Sequence, residues 1–203
     1  MKRQAHRYGD AGQAFPIYIT VVGGLLFLAF AYLAVGQAAA NRNGAQTAAD
    51  AAALAAAQDT RDQLADKWVE DVLDPTQWQD IFDGFAPGLE LSCWRAGELA
   101  ALNDAHLEGE GCAKTGPLEY TVEVQTDKPI GDSIVPGVEG KQARASAKAV
   151  IESRCDFELP GEEAGDDELP QLACEEGRNW LLDPDNLTDL PGPEDLFDVH
   201  LAD

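Results

Sequence analysis

The sequence predicts an α+β protein. A long amino-terminal helix, first apolar and then amphipathic, leads into a small disulfide-braced domain of helices packed on an antiparallel sheet, and an acidic, irregular carboxy-terminal region follows. Three observations predict this. Residues 15–36 form a 22-residue apolar run, an alanine-rich stretch with helical periodicity continues from it, and two segments of period-two alternation lie among four cysteines.

The apolar run reads FPIYITVVGGLLFLAFAYLAVG, and no charged residue occurs between Asp10 and Arg42. A helix rises about 1.5 Å per residue, so about 20 residues cross a bilayer core of about 30 Å. The run is therefore expected to be a single transmembrane helix. The rival is a cleaved secretory signal, whose apolar core of about 7–15 residues is shorter than this run, although the small residues of AVGQAAA (34–40) resemble a signal-peptidase site. Lys2, Arg3 and Arg7 precede the span, whereas Arg42 stands alone after it until Arg61. Positive charge stays cytoplasmic, so the stub 1–14 is expected inside the cell and the rest of the chain outside it, at the cell membrane.

Residues 37–73 are expected to form an outer helix. Alanine, the strongest helix former, fills its middle, and Leu54, Ala57, Arg61, Leu64, Trp68 and Val72 recur at helical steps. Gly44 suggests a soft joint between span and outer helix. The helix is either a stalk or a packing helix. Small residues let helices approach closely in lipid, so Gly24, Ala31, Ala49, Ala53, Ala56 and Leu64 are the candidate helix-packing positions.

Residues 74–156 are expected to form the small extracellular domain. DPTQWQDIF (74–82) reads as a short helix capped by Asp74 or Thr76 and ended by Gly84, Pro87 and Gly88. Residues 92–106 read as a second helix with Ser92 as cap. LEYTVEVQT (118–126) alternates strictly, which marks a half-buried strand. The alternation in 142–155 favours a partner strand over an alanine-driven helix. Connections are expected over 128–140 and 158–171, and the prolines of 179–199 exclude long regular elements there.

Cys93, Cys112, Cys155 and Cys174 all follow the span, as suits two disulfides on the exported side. Four cysteines allow three pairings. The choice is the neighbouring one, Cys93–Cys112 and Cys155–Cys174. The cysteines lack the clustering of structural zinc, and His6, His106 and His200 are scattered, so neither a metal centre nor a cofactor is expected.

The formal net charge is −23, and residues 157–203, with Asp156, hold 16 acidic residues against the single basic Arg178. Such a surface repels nucleic acid, which is bound through Lys and Arg. Within DPDNLTD (183–189), Asp183, Asp185 and Asp189 are weak calcium candidates, lacking the glycine and terminal glutamate of an EF-hand loop. Neither GxSxG, HExxH nor a glycine-rich phosphate loop is present, so no enzyme is indicated.

The segment GDAGQAFPIYITVVGGLLFLAFAYLAVGQAAANRNGAQTAADAAALAAA (9–57) resembles the amino-terminal part of TadE/TadG-like proteins of the tight-adherence (Flp, type IVc) pilus system. A basic stub ending in a glycine-containing junction, one span, and an alanine-rich outer helix occur in the same order. The outer part is loosely similar to actinobacterial members. TadE-type precursors carry a Glu five residues after a cleaved Gly, but the fifth residue after Gly12 is Ile17, so the resemblance is to the TadG-type branch or to an uncleaved variant. It implies a pseudopilin-like, non-enzymatic component acting through helix–helix packing with pilin-like or Tad assembly membrane proteins, as a homo- or hetero-oligomer. The alternative is a membrane-tethered extracellular module binding a cation or a protein ligand on a helical stalk.

Overall fold

The computed structural model describes residues 14–129, 140–159 and 169–202. The expected stub 1–14, with the junction near Gly12, falls almost entirely outside them, and most of the connections 128–140 and 158–171 does too.

One helix, α1 (Ala14–Glu70), incorporates both the apolar run and the alanine-rich stretch. Its 57 residues correspond to a rod of about 85 Å. Gly44 does not act as a joint: it lies inside the helix. Continuous intrahelical hydrogen bonding through strong helix formers on both sides outweighs the roughly 1 kcal/mol cost of one glycine. The helix ends at Glu70, three residues short of the expected 73.

Asp74 caps the next turn, its carboxylate accepting from the Thr76 backbone N–H, as a 3-10 turn (Pro75–Gln77) runs into α2 (Trp78–Phe82). Gly84 follows at φ +78, where a Cβ would lie 2.8 Å from the Pro117 carbonyl oxygen, so both conformation and space require glycine there. Helix α3 (Cys93–Leu102) is shorter than the expected 92–106. Asp104 takes a left-handed conformation (φ 54), and the chain turns directly into a strand.

The main sheet is antiparallel with order β1-β2-β3-β7: β1 (Ala105–Gly116), β2 (Glu119–Pro129), β3 (Gln142–Ser153) and β7 (Phe197–Leu201). A smaller sheet holds β4 (Cys155–Phe157), β5 (Leu172–Cys174) and β6 (Asn179–Trp180). A short helix, α4 (Pro193–Leu196), precedes β7. The expected pair over 118–126 and 142–155 is β2 and β3. Two strands of the main sheet, and the whole smaller sheet, go beyond the expected pair. β1 carries a wide bulge: Leu107 faces Val124, yet Cys112 faces Val122, so the four residues 108–111 on one strand oppose the single Glu123 on the other. Gly111 permits it, since a Cβ there would lie 2.4 Å from the Glu123 carbonyl oxygen. β7 extends the main sheet by pairing Val199 with Ile151, so part of the acidic carboxy-terminal region is integral to the fold.

One sheet face is apolar. Tyr120, Val122 and Val124 of β2 and Ala147, Ala149 and Ile151 of β3 are buried and turn toward α1, which packs on β2, β3 and β7 and also against α3. The other face is polar, with ion pairs Arg144–Glu108 at 2.6 Å and Lys148–Glu119 at 2.8 Å. The two-layer arrangement follows from alternation: a strand of period two offers one face to a helix and the other to water. At the end remote from the apolar half of α1, Trp68, Trp78, Phe157, Phe82 and Phe197 form a chain of aromatic contacts with centroids 5.3–5.7 Å apart.

Candidate functional site

Helix α1 divides into two parts with opposite surroundings. From Ile17 to Val35 its large apolar side chains are exposed, Phe27 at 72% and Tyr32 at 83%. No other helix among the described residues is long and apolar enough to cross a membrane. Apolar surface left in water costs about 25 cal/mol per Å², so this half calls for an apolar environment. Its composition meets the demands of lipid. Beyond the first turn, backbone groups are satisfied within the helix, and the Thr20 hydroxyl donates to the Pro16 carbonyl at 2.8 Å. Tyr18 and Tyr32 lie toward the two ends, where aromatic residues with a polar tip favour the membrane–water boundary. Gly24 and Ala31 lie on this exposed half, and a Cβ at Gly24 would meet nothing within 4 Å.

The second half is enclosed. Ala45, Ala48, Ala49, Ala52, Ala53, Ala56, Ala57 and Leu64 have no exposed surface. Small side chains let the helix axis approach the sheet closely, and the gain is dispersion contact along the whole seam. Ala49, Ala53, Ala56 and Leu64, the candidate helix-packing positions of the outer helix, belong to this enclosed set. Their surface is already covered by the chain's own sheet and α3, and a covered alanine has nothing to offer a partner while the domain is folded. Only residues 37–44 of the outer helix stay largely uncovered, which leaves a neck of about 12 Å in place of a long stalk.

A buried hydroxyl cluster fixes the seam in register. The Thr60 hydroxyl lies 2.7 Å from the Ser92 hydroxyl and donates to the Tyr120 hydroxyl at 2.9 Å. The Ser92 N–H also donates to Tyr120 Oη. Gln63 closes the group, donating to Ser92 Oγ and accepting the Glu90 N–H at 2.8 Å. Ser92 therefore stands at the start of α3 without capping it: its side chain makes no cap hydrogen bond, because Thr60 and Gln63 engage it instead. Leaving one of these buried groups unpaired costs about 1–3 kcal/mol. Sequence reading missed the cluster, whose members are far apart in the chain. The one available signal is Thr60, a polar residue on the otherwise apolar helix face.

The disulfides pair neighbours. Cys93–Cys112 ties α3 to β1, and Cys155–Cys174 ties β4 to β5. The calcium candidates form a turn: Asp183 Oδ1 accepts the Asp185 N–H at 2.9 Å, and its carbonyl accepts the Asn186 N–H at 3.0 Å. Among the described residues, no three His, Cys, Asp or Glu side chains are placed to hold a metal ion. Surface electrostatics are local. Hydrogen bonds to Glu70 and Asp104 raise the partly exposed Lys67 and the exposed Lys128 above the ordinary lysine value.

No curated protein and no solved structure matches the chain. The family comparison does find a match, and it falls on the boundary between the two halves of α1, spanning the exposed apolar helix and the first buried alanines. Residues 12–59, about a quarter of the chain, match the family model described as "Putative Flp pilus-assembly TadE/G-like", so this amino-terminal segment is similar to that family.

Proposed function

We propose that the protein is a non-enzymatic, membrane-anchored component of a Tad/Flp-type pilus or of its assembly apparatus. The exposed apolar half of α1 spans the membrane and contacts pilin-like or Tad assembly partners, and the disulfide-braced domain is held on the outer side with the amino terminus in the cytoplasm. One observation carries the reading: a family-matched helix leaves its apolar half exposed along its length and buries its alanine half in its own fold. In this reading the span makes the partner contact, through Gly24 and Ala31. The basic stub sets the orientation. The pairing of four exported cysteines into two disulfides fits an oxidising exterior. A tethered binding module on a long helical spacer fits less well, because one face of residues 45–64 of that helix is core.

The test is paired leucine substitution in the span. Gly24→Leu with Ala31→Leu removes close-approach positions at a cost on the order of 1.4 kcal/mol of helix contact, about a tenfold loss of complex. Crosslinking and co-purification from membranes are expected to show that loss, with insertion and the melting of the outer domain unchanged. Undiminished co-purification would rule out contact through the span.

A further inference from the structure

We infer that the end of the domain remote from the apolar helix carries a saccharide-binding cleft built on Trp180. This goes beyond the assembly reading and does not depend on it. The cleft encloses about 450 Å³, within the range of about 300–1,000 Å³ of small-ligand sites. Its floor is apolar. Trp180, Leu182 and Leu190 line it and are packed from behind against the hydrophobic core. Its position is fixed on three sides: Trp180 pairs with Leu172 in the small sheet, Cys155–Cys174 staples the neighbouring strands, and Arg178 Nη1 binds Asp195 at 2.6 Å.

The rim supplies both donors and acceptors. The turn at Asp183 folds the chain back, and Asp183 and Asn186 form an isolated bridge. The Thr188 hydroxyl donates to Asn186 Oδ1 at 2.8 Å, which fixes the amide and leaves its Nδ2 as a donor at the cleft. The Asp189 carboxylate, also lining it, has no hydrogen-bond partner among the described residues. The Trp180 indole N–H is screened from water, so the residue offers the cleft its ring and not its N–H.

An aromatic and aliphatic floor beneath an amide donor and a carboxylate acceptor suits a ring with one C–H face and hydroxyls that both give and accept hydrogen bonds. That is a neutral sugar. Other ligand classes fit worse. The carboxylates do not converge on a cation position. An anion would find the guanidinium of Arg178 already shared between Asp195 and Glu176.

The experiment is isothermal titration of the full chain in detergent micelles with chitotriose, maltotriose, mannotriose and galactotriose, and separately with calcium chloride and an oligolysine peptide. At least one trisaccharide is expected to bind, and Trp180→Ala to weaken it at least about tenfold. Asn186→Ala and Asp189→Ala, both exposed rim positions, are expected to weaken it about three- to tenfold with the disulfides and melting temperature intact, so a folding defect of the tryptophan variant cannot mimic the result. Any of three results would overturn the inference: no trisaccharide binding up to about 10 mM, binding unchanged in all three variants, or heat only from calcium or oligolysine.

Discussion

Replacing Ala53 and Ala56 together by leucine is expected to destabilise the outer domain by about 2–6 kcal/mol, taking about 1–3 kcal/mol for each overpacked site. Both alanines are fully buried in a seam where the helix lies directly on β2 and β3, so the added atoms can enter only by moving the helix off the sheet. For a domain of this size each kcal/mol lowers the melting temperature by about 2–4 °C, so circular dichroism of the full chain in micelles is expected to show a drop of roughly 10 °C. The same enlargement at Gly24 meets no protein atom and is expected to leave the transition in place. An assembly defect in the alanine variant would then follow from unfolding, whereas one in the Gly24→Leu, Ala31→Leu variant would follow from lost contact. Equal melting temperatures for wild type and the alanine double variant would show that these positions are not core.

Loss of the disulfides is the second large effect. Each joins cysteines 19 residues apart, and closing a loop of that size contributes about 3 kcal/mol. Cys93→Ser with Cys112→Ser frees α3 from β1. That change reaches the hydroxyl cluster, because Ser92 directly precedes the bonded Cys93. A global drop of about 3 kcal/mol, roughly 6–12 °C, is expected. Cys155→Ser with Cys174→Ser acts on the small sheet, whose three strands have two to three residues each and cannot hold together alone. The expected result there is local: rapid proteolysis between 158 and 180 before the main transition. Limited proteolysis with mass mapping, run beside thermal melts, separates the two. A melting temperature unmoved by either pair of substitutions would contradict the bracing role.

Much of this architecture was legible in the sequence because its physics is local. Twenty-two apolar residues without a charge leave few structures available to the segment, and the alternation from Leu118 to Gln125 announces a two-faced strand. The misses share a cause: the deciding interaction lay elsewhere in the chain. β1 has no readable alternation because its bulge inserts residues 108–111 and shifts the side-chain phase. The buried face of α1 is hard to locate where alanine occupies nearly every position, since periodicity needs contrast. Thr60, Ser92 and Tyr120 become a cluster only once α1, α3 and β2 have met. β7 did carry a signal, with Phe197, Val199 and Leu201 alternating with Asp198 and His200, but the prolines before it drew attention to irregularity. The cleft at Trp180 had half a signal. Its aspartates suggest a cation loop, and only the turn geometry shows that the Asp183 carboxylate is engaged by the Asp185 backbone N–H.

The division of α1 into a lipid-facing half and a sheet-facing half is tested most directly by photolabelling. The full chain is reconstituted in vesicles containing a diazirine-bearing phospholipid, irradiated, and mapped by mass spectrometry. Label is expected across residues 16–36 and absent from residues 45–64. Label along 45–64, or none within 16–36, would contradict the division.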